Sequence, residues 1–387
     1  MSGGNRIFLC GLAAFLLLIG AGLATETTFG AERRSFVTGV AAANIAWDKP
    51  ADIERTLQDI ADAGFEHVRI GFKDPLGGMF LALDRAKAAG LRILITIPLI
   101  DGAVAAEGAA PRPRNPHFFP AHGLTQIDLD RYAARLEKLL DRIIQYHLPV
   151  TALEIGNEFN WSGYNGDLPL RDGGAVVLDE AAWHGADRAA FEAGLDRYAA
   201  VIALTRTRLE SDPRLADIGI VSAGLADINV AFIRRVGATY IAPALVYKAM
   251  AARGLFDAID HVGVHLYEPL RNVREMTDRP GMIAEQLDGC GRAYFAGKTC
   301  WLTEFGAALP VADCAPEDAA RIELMQPLLA YLAQPANAER IPAGFYYDWS
   351  ADPGFSLVRC GRPTALTRQL LRGNIDQDKD FKGGLVE

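Results

Sequence analysis

Two glutamates close short apolar runs of the chain. Glu158 lies in the segment LEIGNEFN, residues 153–160, and Glu304 lies in the segment CWLTEFG, residues 300–306. An apolar strand that ends in a glutamate places a carboxyl group at the mouth of a sheet or barrel, where catalytic residues commonly lie. Two such groups, one protonated and one ionised, can together cleave a glycosidic bond.

Other predicted strand ends carry polar or aromatic side chains. Arg69 lies in the run VRI, His265 and Tyr267 alternate along VHLY and so share one face, and Trp349 follows YYD. A guanidinium lowers the pKa of a nearby carboxyl group, and an aromatic ring suits the apolar C–H face of a sugar. The alternatives are an ion pair between Arg69 and Glu154, a core position for His265, and barrel packing by Trp349.

Eight short apolar runs alternate with longer amphipathic segments. The runs are residues 36–43, 67–71, 91–97, 150–156, 218–223, 261–266, 299–305 and 344–349. Their composition is typical of strands that are buried on both faces. Because strands that alternate with helices pair in parallel, the pattern predicts an α/β fold, a single-domain (β/α)8 TIM barrel. An open doubly wound sheet is the alternative, but no glycine-rich phosphate turn follows the first run.

The segments between the runs predict helices and two long loops. The helical patterns cover residues 51–63, 79–89, 129–146, 186–209, 230–235, 244–253, 282–295, 315–333 and 364–371. The irregular stretches 101–127 and 159–181 follow the third and fourth strands, so we expect them to form walls of a cleft. Further candidate cleft residues, each with ordinary loop packing as the alternative, are Asn44, Trp47, Asp48, Asp74, Asp101, Trp161 and Tyr164.

By this count Glu158 ends the fourth strand and Glu304 ends the seventh. The Asn-Glu pair and the second glutamate resemble the motifs of clan A glycoside hydrolases, the retaining (β/α)8 glycosidases that include families 5 and 39. The resemblance implies that Glu158 is the acid/base and Glu304 the nucleophile, with carboxyl groups about 5–5.5 Å apart. It also implies that Asn157 binds the sugar 2-hydroxyl. Many members have proline after the acid/base, where this chain has Phe159.

The same resemblance gives roles to the other strand ends. Arg69 would keep the nucleophile ionised and oriented, His265 would lie near the sugar, and Tyr267 would lie against the nucleophile. Trp349 would form the stacking floor of the sugar subsite. In the loop that follows the acid/base, Trp161 is a further candidate for sugar binding.

The net charge and the N-terminal segment bear on where the protein acts. A net charge of −9 offers no basic surface for nucleic acid. Residues 1–24 combine one basic residue, an apolar run and small residues near Ala24, which predicts a secretory signal peptide and a secreted or periplasmic protein. An uncleaved membrane anchor is the alternative. We expect the barrel over residues 32–373 and a loose tail over 374–387.

Cysteine and histidine spacing bear on disulfides and metals. Beyond the predicted signal the cysteines are Cys290, Cys300, Cys314 and Cys360. Cys290–Cys300 with Cys314–Cys360 is one of three possible pairings for two disulfides, and four free thiols are the alternative. The chain has no CxxC pair of the kind that binds zinc. The spacing HVGVH puts two histidines at opposite ends of one strand, which argues against their binding the same metal ion.

The sequence therefore predicts a monomeric, retaining glycoside hydrolase that acts on a β-linked oligo- or polysaccharide and needs no metal or organic cofactor. One alternative is a non-catalytic or transglycosylating glycan-binding barrel involved in exopolysaccharide processing. Another is a metal-dependent barrel hydrolase. The motifs leave open the sugar, its linkage, and endo or exo action.

Overall fold

The computed structural model describes residues 36–267, 279–309 and 318–372, and the structural statements below concern those residues. The strands are β1 (Val37–Ala41), β2 (His67–Gly71), β3 (Arg92–Ile97), β4 (Val150–Ile155), β5 (Ala175–Val177), β6 (Gly219–Ser222), β7 (Thr239–Ile241), β8 (His261–Leu266), β9 (Thr299–Phe305), β10 (Ala343–Tyr346), β11 (Val358–Arg359) and β12 (Arg362–Pro363). The helices are α1 (Pro50–Asp62), α2 (Leu76–Ala88), α3 (Leu129–Tyr146), α4 (Gly185–Glu210), α5 (Val230–Val236), α6 (Pro243–Ala251), α7 (Arg279–Leu287), α8 (Ala319–Leu332), α9 (Pro335–Arg340) and α10 (Ala365–Arg372).

Eight of these strands close a barrel in the order β1-β10-β9-β8-β6-β4-β3-β2. Every neighbouring pair around the ring is parallel. With helices around the strands, this is the (β/α)8 barrel, and the predicted fold is confirmed. The strand β4 is the fourth of the barrel and β9 is the seventh, as the apolar runs indicate.

The structure differs from the sequence prediction in a few elements. The helix predicted over 282–295 ends at Leu287, and glycines interrupt the pattern before a short 3-10 turn over Ala293–Phe295. Gly291 among them has a φ of 66°, which does not continue a helix. The stretch 159–181 is less irregular than expected, because it contains β5, which pairs in parallel with β7.

Amphipathic patterning explains how the helices cover the barrel. In α3 one stripe of apolar side chains is buried, and its members include Leu136, Leu139, Leu140 and Ile143. The Asp128 side chain begins this helix by accepting hydrogen bonds from the backbone nitrogens of Asp130 and Arg131. These leucines and isoleucine belong to the large apolar core between the strands and the helices.

The interior of the barrel changes character along its axis. One apolar cluster consists of Leu94, Ala152, Val221 and Phe345, with Trp301 packed against it. Two residues further along β3 and β4, Thr96 and Glu154 occupy the same inward face, because alternate residues of a strand share a face. The apolar cluster is therefore the floor beneath a polar layer at the carboxyl-terminal mouth.

A disulfide joins Cys290 to Cys300, with Cα atoms 5.3 Å apart. It ties the segment after α7 to β9, four residues before Glu304, and it belongs to one of the three pairings that the sequence leaves open. Cys314, the predicted signal over residues 1–24 and the predicted tail over 374–387 lie outside the described residues. Within the described part of the chain, no helix is both long enough and apolar enough to cross a membrane.

Candidate active site

Glu304 and Glu158 meet at the carboxyl-terminal mouth of the barrel. Glu304 is the penultimate residue of β9, and its strand register pairs it with His265 of β8. Glu158 lies three residues beyond β4, where its backbone nitrogen donates to the carbonyl oxygen of Gly224 at 2.8 Å. The two side chains are mostly buried, and a carboxylate oxygen of one lies within 4.8 Å of a carboxylate oxygen of the other.

The backbone turns sharply after β4 to present Glu158. Gly156 has a φ of 90°, and a Cβ atom there would lie 3.2 Å from the Cβ of Ala223. Glu158 itself has a φ of 45°, in the left-handed region that disfavours side chains. The buried amide of Asn160 holds the loop by donating to the Ala226 oxygen at 2.8 Å and accepting from the Ala226 nitrogen at 2.9 Å. The strained residue is thus fixed by its surroundings.

Arg69 connects three parts of the site. Its Nε donates to Glu154 Oε2 at 2.7 Å, its Nη1 donates to Glu304 Oε1 at 2.6 Å, and its Nη2 donates to Asn157 Oδ1 at 2.9 Å. The residue is 1% exposed, so protein groups must replace the water around its charge. Arg69 therefore makes both contacts that the sequence suggested, one with Glu304 and an ion pair with Glu154.

Glu154 is the deepest counter-ion of Arg69. Its carboxylate is fully buried, and it also accepts hydrogen bonds from Thr96 Oγ1 at 2.6 Å and from the Gly224 nitrogen at 3.2 Å. Burial acts to raise the pKa of Glu154, but the charge of Arg69 and the hydrogen bonds outweigh it and lower the pKa to about 2. Glu154 therefore stays ionised beside the guanidinium.

His265 lies between the two glutamates at the mouth. Its Nδ1 is 2.8 Å from Glu158 Oε1 and 3.6 Å from Glu304 Oε2. Burial acts to lower the pKa of His265, but Glu304, Glu154 and Glu158 together raise it to about 10. The ring is therefore protonated at neutral pH, and Nδ1 donates to Glu158. Gly224 makes room for it, because a Cβ there would lie 2.1 Å from the ring.

Glu304 receives a second donor from Tyr267. The Tyr267 hydroxyl donates to Glu304 Oε2 at 2.7 Å, while Arg69 occupies Oε1. Burial acts to raise the pKa of Glu304, but the positive charges of His265 and Arg69 and the Tyr267 hydrogen bond outweigh it, so the pKa is lowered. Glu304 is therefore an ionised carboxylate whose two oxygens are both held in place.

Trp161 contacts the other glutamate. Its Nε1 donates to Glu158 Oε2 at 3.2 Å. The indole ring packs edge-on against Phe118 with 5.5 Å between ring centroids, and lies 6.1 Å from the ring of Tyr164. The structure thus shows Trp161 holding the carboxylate of Glu158, a contact that the sequence did not predict.

The predicted role of Trp349 is corrected by the structure. Trp349 is 2% exposed and packs edge-on against Phe65, with 6.2 Å between ring centroids. The strand β10 ends at Tyr346, so the alternation that would carry the ring into the cleft does not extend to Trp349. Tyr347 lines the cavity instead.

A cavity of about 700 Å³ opens beside Glu304, a volume typical of small-molecule sites. Arg69, Asn157 and Glu304 line it together with parts of the two predicted loops. Candidate cleft residues that line it are Asn44, Trp47, Asp74, Asp101 and Tyr164, whereas Asp48 and Trp161 are not in the lining. Lining residues that the sequence did not single out include Lys73, Phe119, His122 and Tyr347.

Glu158, His265 and Glu304 also form the one group of described residues whose donor atoms are close enough to hold a metal ion. A cation there would have to replace the hydrogen bonds from His265 to Glu158 and from Tyr267 to Glu304. It would also need His265 as a neutral ligand, although the surrounding carboxylates keep that imidazole protonated, and it would lie beside the Arg69 guanidinium. The arrangement therefore fits acid–base and nucleophilic chemistry better than metal binding.

The chain is similar in fold to proteins of known structure. No protein-family model matches the chain, and no curated protein matches its sequence. Op5Man5, an exo-β-1,4-mannosidase from Opitutaceae bacterium strain TAV5, has a TM-score of 0.50 at 15% identity, over 87% of this chain and 59% of its own. Gas2p of Saccharomyces cerevisiae, in complex with laminaritriose and laminaritetraose, has a TM-score of 0.50 at 14% identity, over 88% of this chain and 64% of its own.

These similarities establish the fold. The chain spans less than two thirds of the length of both proteins. At 14–15% identity the likeness shows the barrel architecture, and the roles of individual side chains depend on the geometry given above.

The buried carboxylate of Glu154 predicts a pH dependence of stability. Its pKa is about 2 in the folded protein against an ordinary value of 4.5, so the ionised form stabilises the fold above pH 4.5. This contribution to the free energy of unfolding, on the order of 3 kcal/mol, is lost as the pH falls towards 2. We expect Glu154→Gln to be less stable than wild type at pH 6, in urea unfolding, and this difference to shrink steadily at pH 4 and pH 3.

The control for this experiment is Glu54→Gln, which changes the same charge at an exposed position on α1. Its stability should follow that of wild type at all three pH values. A stability difference between Glu154→Gln and wild type that does not change with pH would show that the Glu154 carboxylate does not have a depressed pKa.

Proposed function

We propose that the protein is a retaining glycoside hydrolase that acts on β-linked glycans. The observation that carries the proposal is the approach of Glu158 and Glu304 to within 4.8 Å, oxygen to oxygen, at the mouth of the barrel. Retaining glycosidases hold their two carboxyl groups about 5–5.5 Å apart, whereas inverting ones need about 6.5–9.5 Å to admit a water molecule. The close approach supports the retaining mechanism.

In the first step Glu304 acts as the nucleophile. Its ionised carboxylate attacks the anomeric carbon while the glycosidic oxygen leaves, and Glu158 gives that oxygen its proton. Arg69 and Tyr267 fix both oxygens of Glu304, so little reorientation is needed at the moment of attack. The product of this step is a covalent glycosyl-enzyme and a free leaving-group sugar.

In the second step Glu158 acts as the base. Its carboxylate takes a proton from a water molecule, the water oxygen bonds to the anomeric carbon, and the bond to Glu304 breaks. Protonated His265 donates to Glu158 Oε1 and Trp161 donates to Oε2. These donors stabilise the negative charge that Glu158 acquires after the first step, so His265 and Trp161 are positioning residues for the acid/base.

The cavity beside Glu304 supplies groups that suit a sugar. Asn157 Oδ1 accepts a hydrogen bond from Arg69. The amide nitrogen of Asn157 is therefore the atom that would donate to the sugar 2-hydroxyl, its predicted partner. Trp47 and Phe119 line the cavity with 60% and 45% of their surfaces exposed, and exposed aromatic rings pack well against sugar C–H faces. The similarity in fold to an exo-β-1,4-mannosidase also supports a β-linked glycan as the substrate.

We further propose that the protein acts outside the cytoplasm. The apolar segment at the start of the sequence supports this, since it has the layout of a secretory signal. The disulfide between Cys290 and Cys300 supports it as well, because disulfides persist in oxidising compartments.

Hydrolysis of aryl β-glycosides and of a panel of β-glucans, mannans and bacterial exopolysaccharides tests the proposed mechanism. We expect Glu304→Ala to lose activity on every substrate that wild type cleaves. Glu158→Ala should lose about 10²–10⁴-fold on substrates with poor leaving groups, because the proton donor is gone, and far less on dinitrophenyl glycosides. NMR should show that the first-formed sugar product has the β configuration.

The matched control is Glu137→Ala, which removes a glutamate from the surface of α3 and should leave kcat/KM within about twofold of wild type. An α-configured first product would contradict retention. Wild-type activity in Glu304→Ala would show that another residue is the nucleophile.

Gly224 gives a test of the role of His265. A Cβ at this position would collide with the imidazole, so Gly224→Ala should displace His265 from Glu158 and lower kcat by roughly 100-fold. Gly219→Ala, at the start of β6, is the matched control, since its Cβ would find its nearest neighbours at 3.7 Å. Circular dichroism would show that both variants are folded. Equal kcat values for the two variants would mean that the position of His265 is not important.

A further inference from the structure

Lys73 is a cation built into the wall of the cavity. It follows β2 by two residues and lines the cavity together with Glu304. Its side chain lies back across Gly71, where a Cβ atom would come within 3.0 Å of Lys73 Cε and 2.6 Å of the Ala43 oxygen. Only glycine at this position leaves room for the lysine stem, so the sequence places the ammonium group inside the cavity.

Two residues of the loop after β1 hold the ammonium in place. Lys73 Nζ donates to Asn44 Oδ1 at 2.5 Å and lies 5.0 Å from the centre of the Trp47 ring. The Trp47 ring is held in turn, because its Nε1 donates to the backbone carbonyl oxygen of Asp74 at 2.7 Å. An amide oxygen and an aromatic face are neutral partners, so they orient the charge of Lys73 without neutralising it.

The other charges of the cavity wall are accounted for by protein groups. Arg69 is paired with Glu154 and Glu304, and the Asp74 carboxylate lies 3.2 Å from Arg135. Among the described residues, no carboxylate lies within the 4.0 Å of Lys73 Nζ that defines an ion pair. The remaining carboxylate of the wall, Asp101, accepts a hydrogen bond from the Ala103 nitrogen at 2.9 Å.

The ammonium of Lys73 is held in the cavity wall at an energetic cost. Burial, and then the charge of Arg69, lower the pKa of Lys73 to about 8 from its ordinary value of 10.5, although the more distant carboxylates of Glu304 and Asp101 act to raise it. An anionic group from a ligand would replace the lost water and relieve that cost, as charge-assisted hydrogen bonds do. Because the chain has a net charge of −9, such attraction must come from a local site and not from the overall field.

We propose that Lys73 binds the carboxylate of an acidic sugar, so that the β-linked glycan in this cavity carries a uronic acid. The inference rests on the proposed function. Lys73 then selects the substrate: its ammonium keeps the bond to Asn44 and directs its remaining hydrogens to the sugar carboxylate. The exposed rings of Trp47 and Phe119 pack against the apolar faces of the same glycan.

Matched pairs of oligosaccharides test this inference. The pairs are β-1,4-tetraglucuronate with cellotetraose, β-1,3-tetraglucuronate with laminaritetraose, and β-1,4-tetramannuronate with mannotetraose, which differ only at C6. Binding is measured by calorimetry in a Glu158→Gln background, so that bound glycan stays intact. We expect at least one acidic member to bind about 10- to 100-fold more tightly than its neutral partner, and added salt to weaken only the acidic one.

Variants of Lys73 separate a specific charge effect from a general one. In Lys73→Met the ratio of acidic to neutral affinity should fall about 10- to 100-fold, and Lys73→Arg should restore part of it. Lys138→Met removes the same charge from the exposed surface of α3 and should keep the wild-type ratio. Equal loss of both affinities in Lys73→Met would show that the lysine only shapes the cavity, and would overturn the inference.

The outcomes also distinguish this inference from the proposed function. Equal binding of both members of every pair, or binding of none, would overturn the inference. If the Glu158-intact protein nevertheless cleaves neutral glycans, the proposed function stands. Selective binding of an acidic member that the Glu158-intact protein does not cleave would support the role of Lys73 and contradict the glycosidase.

Discussion

The active-site geometry depends on one buried cation, the guanidinium of Arg69. Removing this charge and its two carboxylate partners from water is expensive, and only close, well-directed hydrogen bonds offset the cost. Those bonds come from Glu154 on β4, Asn157 in the loop after β4, and Glu304 on β9. Strands on different sides of the barrel must therefore be in register for Arg69 to make all its hydrogen bonds, so the site is complete only in the closed barrel.

The same constraint gives the two glutamates at the mouth different surroundings. Glu304 lies on a strand, held at both oxygens by Arg69 and Tyr267, which keep it ionised. Glu158 lies on a strained loop residue, where His265 and Trp161 contact its carboxylate. Glu304 is therefore positioned by groups on the barrel strands, and Glu158 by the loop that carries it and by His265.

Barrel strands and the residues at their ends could be predicted from the sequence, because doubly buried strands appear as apolar runs. Glu158, Glu304, Arg69, His265 and Tyr267 all lie where that pattern places them. Trp349 does not, because its ring is buried against Phe65 beyond the end of β10. Lys73 and His122 gave no signal, because their positions depend on the path of loops and on what a neighbouring glycine leaves open.

Covalent trapping tests the central claim, that Glu304 forms a bond to the anomeric carbon, most directly. The protein would be incubated with activated 2-deoxy-2-fluoro-β-glucosides and β-mannosides, and with acidic counterparts, then digested and analysed by mass spectrometry. The account predicts one adduct, on the peptide that contains Glu304, and no adduct in Glu304→Gln. An adduct on a different residue, or turnover with inversion and no adduct, would contradict it.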